Sequence, residues 1–103
     1  MEKTTPHHAL SVVKAEVIRL GAKAFTVSAM DGGRRLDLSL KQMLRIIDNL
    51  QRHMFYKSMT TYADPRVWQD VYHVETLGRA LYIKVTYRPD AGAPVISFKE
   101  KTQ

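Results

Sequence analysis

The side chains that could do chemistry in this chain are concentrated between Phe55 and Tyr87. The tracts Phe55-Tyr-Lys-Ser-Met-Thr-Thr-Tyr62 and Trp68-Gln-Asp-Val-Tyr-His73 set lysine, amide, phenol and imidazole groups among aromatic rings, and Ala80–Tyr87 adds Tyr82 and Lys84. Rings beside cations and hydroxyls suit a surface that grips single-stranded nucleic acid, because bases stack on the rings and phosphates pair with the cations. The same groups suit a more demanding task. RNA is cut by its own 2′-hydroxyl when a base takes the 2′ proton, a donor holds the crowded, negative phosphorus centre, and an acid protonates the leaving 5′ oxygen. Lys57, Gln69, His73, Tyr82 and Lys84 offer cations, an amide, an imidazole and a phenol for that purpose.

Each of these residues also has an ordinary structural explanation. Lys57 could be an edge lysine that deters strand pairing. It shares parity with Phe55 and Met59, and Gln69 lies between Val67 and Val71, so simple alternation does not say that either faces solvent. Tyr82 could pack over a neighbour, and His73 could be a surface imidazole near its usual pKa of about 6.5. Tyr56 and Tyr62 could stack bases or shield the sheet. Trp68 reads as packing rather than as a base platform.

Other chemistries are poorly served. His7 and His8 are adjacent, so on a helix their side chains diverge by about 100°, and His53 and His73 are isolated, which leaves no metal-ligand spacing. Gly32-Gly33 lacks the lysine and hydroxyl that complete a phosphate loop. Ser58 falls in a strand pattern and not at a strand-to-helix elbow. Asp64 reads as a turn former and Asp70 stands alone. The chain has no cysteine, which excludes disulfides, thiolate catalysis and cysteine–zinc sites.

The elements that must position these residues follow from hydrophobic period. Thr5-Pro6 predicts a helix start, with Leu10, Val13, Val17 and Leu20 on one face and Gly21 as its stop. Lys23–Ser28 is short and β-prone, Ser28–Asp31 suits a capped turn, and Asp31-Gly-Gly33 breaks the chain. Ser39 and Gln42 form a capping box that opens a second helix with Leu40, Met43, Leu44, Ile47 and Leu50 as its stripe. Beyond residue 54 the period changes. Phe55–Tyr62, Val67–Val74, Ala80–Tyr87 and Val95–Lys101 read as strands, with turns at Asp64-Pro65, Glu75–Arg79 and Pro89–Pro94. Leu81, Ile83 and Val85 alternate with Tyr82, Lys84 and Thr86, so this strand buries one face and wets the other. The order predicts an α+β fold with helices on one face of an antiparallel meander and the opposite face open for function.

A chain of 103 residues suits one domain spanning 1–103, and 45% apolar content suits a single modest core. Sixteen Lys and Arg against ten Asp and Glu give a formal charge of +6, which favours an anionic partner. No apolar run approaches membrane-spanning length and no signal-peptide stretch opens the chain, so a cytoplasmic protein is the expectation.

At these residues the chain resembles the MqsR toxins (motility quorum-sensing regulators). Phe55–Tyr62, Trp68-Gln-Asp-Val-Tyr72, Leu81-Tyr-Ile-Lys84 and Ser97-Phe-Lys-Glu-Lys101 carry the resemblance, supported by Met1-Glu-Lys3, Thr5-Pro-His7 and Ile46–Leu50. It covers nearly the whole chain. The resemblance implies a RelE-like fold, with N-terminal helices packed on a twisted antiparallel sheet. It implies an mRNA interferase that cuts single-stranded mRNA at GCU-like sites without the ribosome or a metal cofactor, inhibiting translation. The partner it implies is an MqsA-like antitoxin with a zinc-binding domain and a helix-turn-helix domain, through which alone operator DNA is reached. The family's catalytic lysine, glutamine and tyrosine fall on Lys57, Gln69 and Tyr82, and its neighbouring site residues on Tyr56 and Met59. His73 and Lys84 complete the expected RNA-binding set, although the family carries arginine where this chain has His73. A phosphate contact from His73 would be weaker and pH-dependent. Ser28–Asp37 is glycine-interrupted where the family has a longer helical segment, and Pro89–Pro94 is more proline-rich. The alternative is a non-catalytic module that binds RNA or antitoxin and acts as a transcriptional co-regulator.

Overall fold

The computed structural model describes residues 1–76, 78–87 and 94–101. Five strands, β1 (Glu2–Lys3), β2 (Phe55–Thr60), β3 (Trp68–Thr76), β4 (Arg79–Tyr87) and β5 (Pro94–Glu100), form one antiparallel sheet in the order β1-β2-β3-β4-β5. Three helices, α1 (Leu10–Leu20), α2 (Val27–Arg35) and α3 (Leu40–Asp48), contribute to the core with the sheet. This is the expected α+β arrangement, consistent with a RelE-like fold.

The core is one cluster. Val13 and Val17 of α1, Ala29 of α2 and Met43, Ile46 and Ile47 of α3 meet Tyr72, Val74, Leu81, Ile83, Val85, Ile96 and Phe98 of the sheet. Strand β4 alternates as its sequence predicts: Leu81, Ile83 and Val85 are buried, while Tyr82, Lys84 and Thr86 are half-buried on the other face. The capping box is present, with Ser39 Oγ accepting from the Gln42 amide and Gln42 Oε1 accepting from the Ser39 amide.

The N-terminal half departs from the sequence reading in three places. Helix α1 begins at Leu10, with Ala9 at its cap, and not at Thr5-Pro6. The intervening residues are held elsewhere: the His7 and His8 amides donate to the two oxygens of Asp70 at 3.0 and 2.9 Å. Gly21 does end α1, at φ +60°.

The region read as β-prone and then broken is mostly helical. A single 3₁₀ turn (Gly21–Ala24) leads to Phe25, which bridges Ile96, and α2 then runs through both glycines. Thr26 Oγ1 accepts from the Ala29 amide to start it. Glycine costs a helix about 1 kcal/mol relative to alanine, but here closeness is the reason for it. A Cβ on Gly33 would lie 2.5 Å from Met43 Sδ, and one on Gly32 would lie 3.2 Å from the Phe98 carbonyl. The pair lets α2 settle onto α3 and β5, so it is a packing surface and not a break.

Strand β1 was not anticipated. It pairs Glu2 with Met59 and Lys3 with Ser58, and the Thr60 amide donates to the Met1 carbonyl at 3.0 Å. The hairpin between β3 and β4 is tighter than Glu75–Arg79, since β3 runs to Thr76 and β4 resumes at Arg79. Most of the third predicted turn, Pro89–Pro94, lies outside the described residues. Among those described, no helix is long and apolar enough to cross a membrane.

Candidate active site on the open sheet face

A register irregularity in β2 decides which side chains reach the open face. Phe55 pairs with Tyr72 and Lys57 pairs with Val71, so Tyr56 is an extra residue, a bulge. Phe55 therefore joins the core with Tyr72, while Lys57 lies on the opposite face with Val71. The bulge undoes the parity that ties Lys57 to Phe55 in sequence, and it brings Tyr56 against His73 with ring centroids 4.3 Å apart.

Three cross-strand rows result. His73 pairs with Tyr82 and Tyr82 with Lys99; Lys57 pairs with Val71, Val71 with Lys84 and Lys84 with Ser97; Met59 pairs with Gln69, Gln69 with Thr86 and Thr86 with Val95. Neighbouring strands lie about 4.8 Å apart, so Lys57 and Lys84 are separated by roughly 10 Å at the backbone. An open cleft of about 480 Å³ lies over these rows, lined by Tyr56, Lys57, Met59, Val71, Tyr82, Lys84, Lys99 and Glu100. Of the seven residues singled out from sequence, five line this cleft. Gln69 lies one row along, where its Nε2 donates to Thr86 Oγ1 at 3.0 Å. His73 lies one row along in the other direction, packed edge-on to Tyr82 at 4.6 Å.

Lys57 Nζ donates to Glu2 Oε1 at 2.6 Å. The hydrogen bond from Lys57 holds the Glu2 carboxyl below its usual range, and the same bond, outweighing partial burial, holds the Lys57 ammonium above its own. Lys57 is therefore an ammonium throughout the neutral range. That counts against its serving as the base for a 2′ proton, a role the sequence left open for it.

His73 is neutral near pH 7. Burial pushes its pKa down, and the Lys101 cation adds to the shift. Its Nε2 is buried and has no hydrogen-bond partner among the described residues. Lys101 lies over the Tyr82 ring at 5.7 Å and Lys57 over the Tyr56 ring at 5.3 Å, so cations flank the aromatic row on both sides.

The remaining sequence candidates sit elsewhere. Trp68 packs, as expected: the His7 ring stacks on it at 5.2 Å and Lys3 Nζ lies over it at 4.4 Å. Tyr62 is fully exposed in the loop after β2. Asp70 does not stand alone; it is 1% exposed and also accepts from Ser58 Oγ at 2.7 Å. His7 and His8 lie outside the helix and their rings approach to 4.9 Å, but no group of three or more histidine, aspartate or glutamate side chains that could hold a metal occurs among the described residues.

Sequence reasoning missed Lys99 and Glu100 among the residues that line the cleft, and Glu2, which bonds Lys57. Lys99 was within reach, because Ile96 and Phe98 facing the core place Ser97 and Lys99 on the open side. Glu2 carried no signal, since two residues are too few for a strand period to register.

An open sheet face bearing four lysines, two phenols and an imidazole defines a small α+β protein with a basic, aromatic-lined cleft. The family model for the motility quorum-sensing regulator, toxin of MqsA, matches residues 5–100 of the chain. The mRNA interferase toxin MqsR of Escherichia coli (strain K12) is 42% identical over 101 residues, which cover 98% of this chain and 100% of that protein. The chain belongs to this family of toxins.

Proposed function

We propose that this toxin is a ribosome-independent endoribonuclease that cuts single-stranded mRNA by 2′-hydroxyl attack, without a metal, at GCU-like sites. One observation carries the reading: Lys57, held as an ammonium by Glu2, shares a cleft with Tyr82 in a chain 42% identical to an mRNA interferase toxin. The ammonium stabilises the phosphorane-like centre. Tyr82 protonates the departing 5′ oxygen, leaving a 2′,3′-cyclic phosphate and a 5′-hydroxyl. Gln69 orients the scissile phosphate. Tyr56, Met59, His73 and Lys84 hold the flanking nucleotides, by stacking and, from Lys84, by charge. The protein acts in the cytoplasm and is neutralised by an MqsA-like antitoxin with a zinc-binding domain and a helix-turn-helix domain, and it reaches operator DNA only through that partner.

Loss of one transition-state donor costs about 10²–10³ in rate, and loss of a general acid about 10²–10⁴. Lys57→Ala, Gln69→Ala and Tyr82→Phe are expected to cripple cleavage of a defined single-stranded RNA while leaving the circular-dichroism spectrum intact. Wild-type rates in all three folded variants would overturn the assignment. Intact RNA that is bound tightly by the wild-type protein would favour a binding module instead. Cleavage is expected to persist in EDTA, and loss that a divalent ion restores would exclude the metal-free mechanism. Transcript-end mapping after brief induction, with Lys57→Ala as control, reads the site preference.

A further inference from the structure

The ribonuclease reading leaves the 2′ proton without an acceptor, because Lys57 is already protonated. We propose that Glu2, from the two-residue strand at the edge of the sheet, is the general base. This rests on the ribonuclease assignment of the cleft and adds a catalytic residue to it.

Position is the first argument. Glu2 pairs with Met59, so it shares the open face with Met59 and Lys57. Its Oε1 lies 2.6 Å from Lys57 Nζ, although 55 residues separate the two in sequence. A phosphate oxygen held by Lys57 at about 2.8 Å lies within roughly 5 Å of that carboxylate. In a reactive conformer the 2′ oxygen stands about 3 Å from phosphorus, which leaves it within reach of that carboxylate when its side of the phosphate faces β1.

Availability is the second. Glu100, the only carboxylate residue that lines the cleft among those described, pairs with Leu81 of the core face, so its side chain is directed away from the open face toward Arg79, 3.1 Å away. Glu2 is more than half exposed, so an incoming nucleotide can reach it. It is ionised at neutral pH and ready to accept a proton. Its segment is also held in place, by the Thr60 amide on the Met1 carbonyl and by Asp70 on the His7 and His8 amides.

The step balances. The 2′-hydroxyl proton passes to the Glu2 carboxylate as the O2′–P bond forms. The P–O5′ bond breaks, and O5′ takes the proton of the Tyr82 phenol. Exchange with water then returns a proton from Glu2 to Tyr82.

The test compares wild type, Glu2→Gln, Lys57→Ala and Tyr82→Phe on one RNA oligonucleotide. A second copy of that oligonucleotide carries sulfur in place of the 5′ oxygen at the mapped scissile bond, so its leaving group needs no acid. Glu2→Gln is expected to lower kcat by about 10²–10⁴ on both substrates and to abolish the acid-side limb of the kcat/KM profile. Tyr82→Phe is expected to recover on the sulfur substrate. If Glu2→Gln cuts at the wild-type rate, or faster with a lower KM, Glu2 merely competes with phosphate for Lys57 and the proposal fails. If the Glu2→Gln defect disappears on the sulfur substrate, Glu2 serves bond departure through Lys57 and is not the base. Wild-type cleavage by both Lys57→Ala and Tyr82→Phe would instead remove the assignment of this cleft as the site of cleavage, on which the proposal rests.

Discussion

His73 lies between two phenols, its Nε2 buried and without a hydrogen-bond partner among the described residues, and this has a consequence for stability. In an unfolded chain its imidazole takes a proton near pH 6.5, whereas in the folded protein burial lowers that pKa. Between the two values the unfolded chain binds more protons, so stability is complete above about pH 6.5 and falls as the pH drops toward the folded pKa. His7 acts with the same sign, since burial lowers its pKa too, with Lys3 next to it adding to the shift. The urea midpoint is expected to fall between pH 7.5 and 5.5, and His73→Phe is expected to reduce that fall. An unchanged pH dependence in the variant would show that His73 contributes nothing to it. The residue types at this site were legible in the sequence, because lysine, glutamine, tyrosine and histidine in one aromatic-rich region have few uses in common. The state of each was not. Lys57 reads as a lysine of ordinary basicity until Glu2 is seen 2.6 Å away.

At the scale of elements, legibility followed regularity. Strand β4 was plain because its alternation is unbroken, and α3 because its cap and its stripe agree. Strand β2 could be found but its facing could not, since one extra residue at Tyr56 moves Lys57 from the parity of the core to the open face. Helix α2 was misread for a different reason: local propensity disfavours glycine in a helix, but the tight approach of Met43 and the Phe98 carbonyl admits nothing larger without a shift. The α3 cap gives a direct test. Ser39→Ala removes the acceptor for the Gln42 amide and is expected to lower stability by about 1 kcal/mol in chemical denaturation, with RNA cleavage unchanged at temperatures below unfolding. A change well under 0.5 kcal/mol would mean that the box is made in the structure but not used to hold the helix.

Taken whole, the molecule separates its two jobs by face: helices and core on one side of the sheet, cations and rings on the other. The formal charge of +6 is expressed at the cleft by Lys57, Lys84 and Lys99, with Lys101 close by. Binding to a single strand through such lysines releases counterions, so affinity falls with salt with a slope of about −0.7 for each phosphate neutralised. A 2′-O-methyl oligonucleotide, which cannot be cut by its own 2′ oxygen, allows this to be measured by fluorescence anisotropy. Lys84→Ala is expected to make the slope shallower by about 0.7, and an unchanged slope would place the RNA backbone elsewhere.

The cleft is also assembled from distant parts of the chain. Glu2 reaches Lys57 from β1, Lys99 reaches the same cleft from β5, and Asp70 ties the N-terminal segment down across more than sixty residues. On a ribosome β1 emerges long before β5. A nascent chain that has passed β3 can anchor its first residues, but it still lacks the strand that carries Lys99. The complete cleft comes into being only after β5 has left the exit tunnel, so a nascent chain still short of that strand lacks part of the cleft lining.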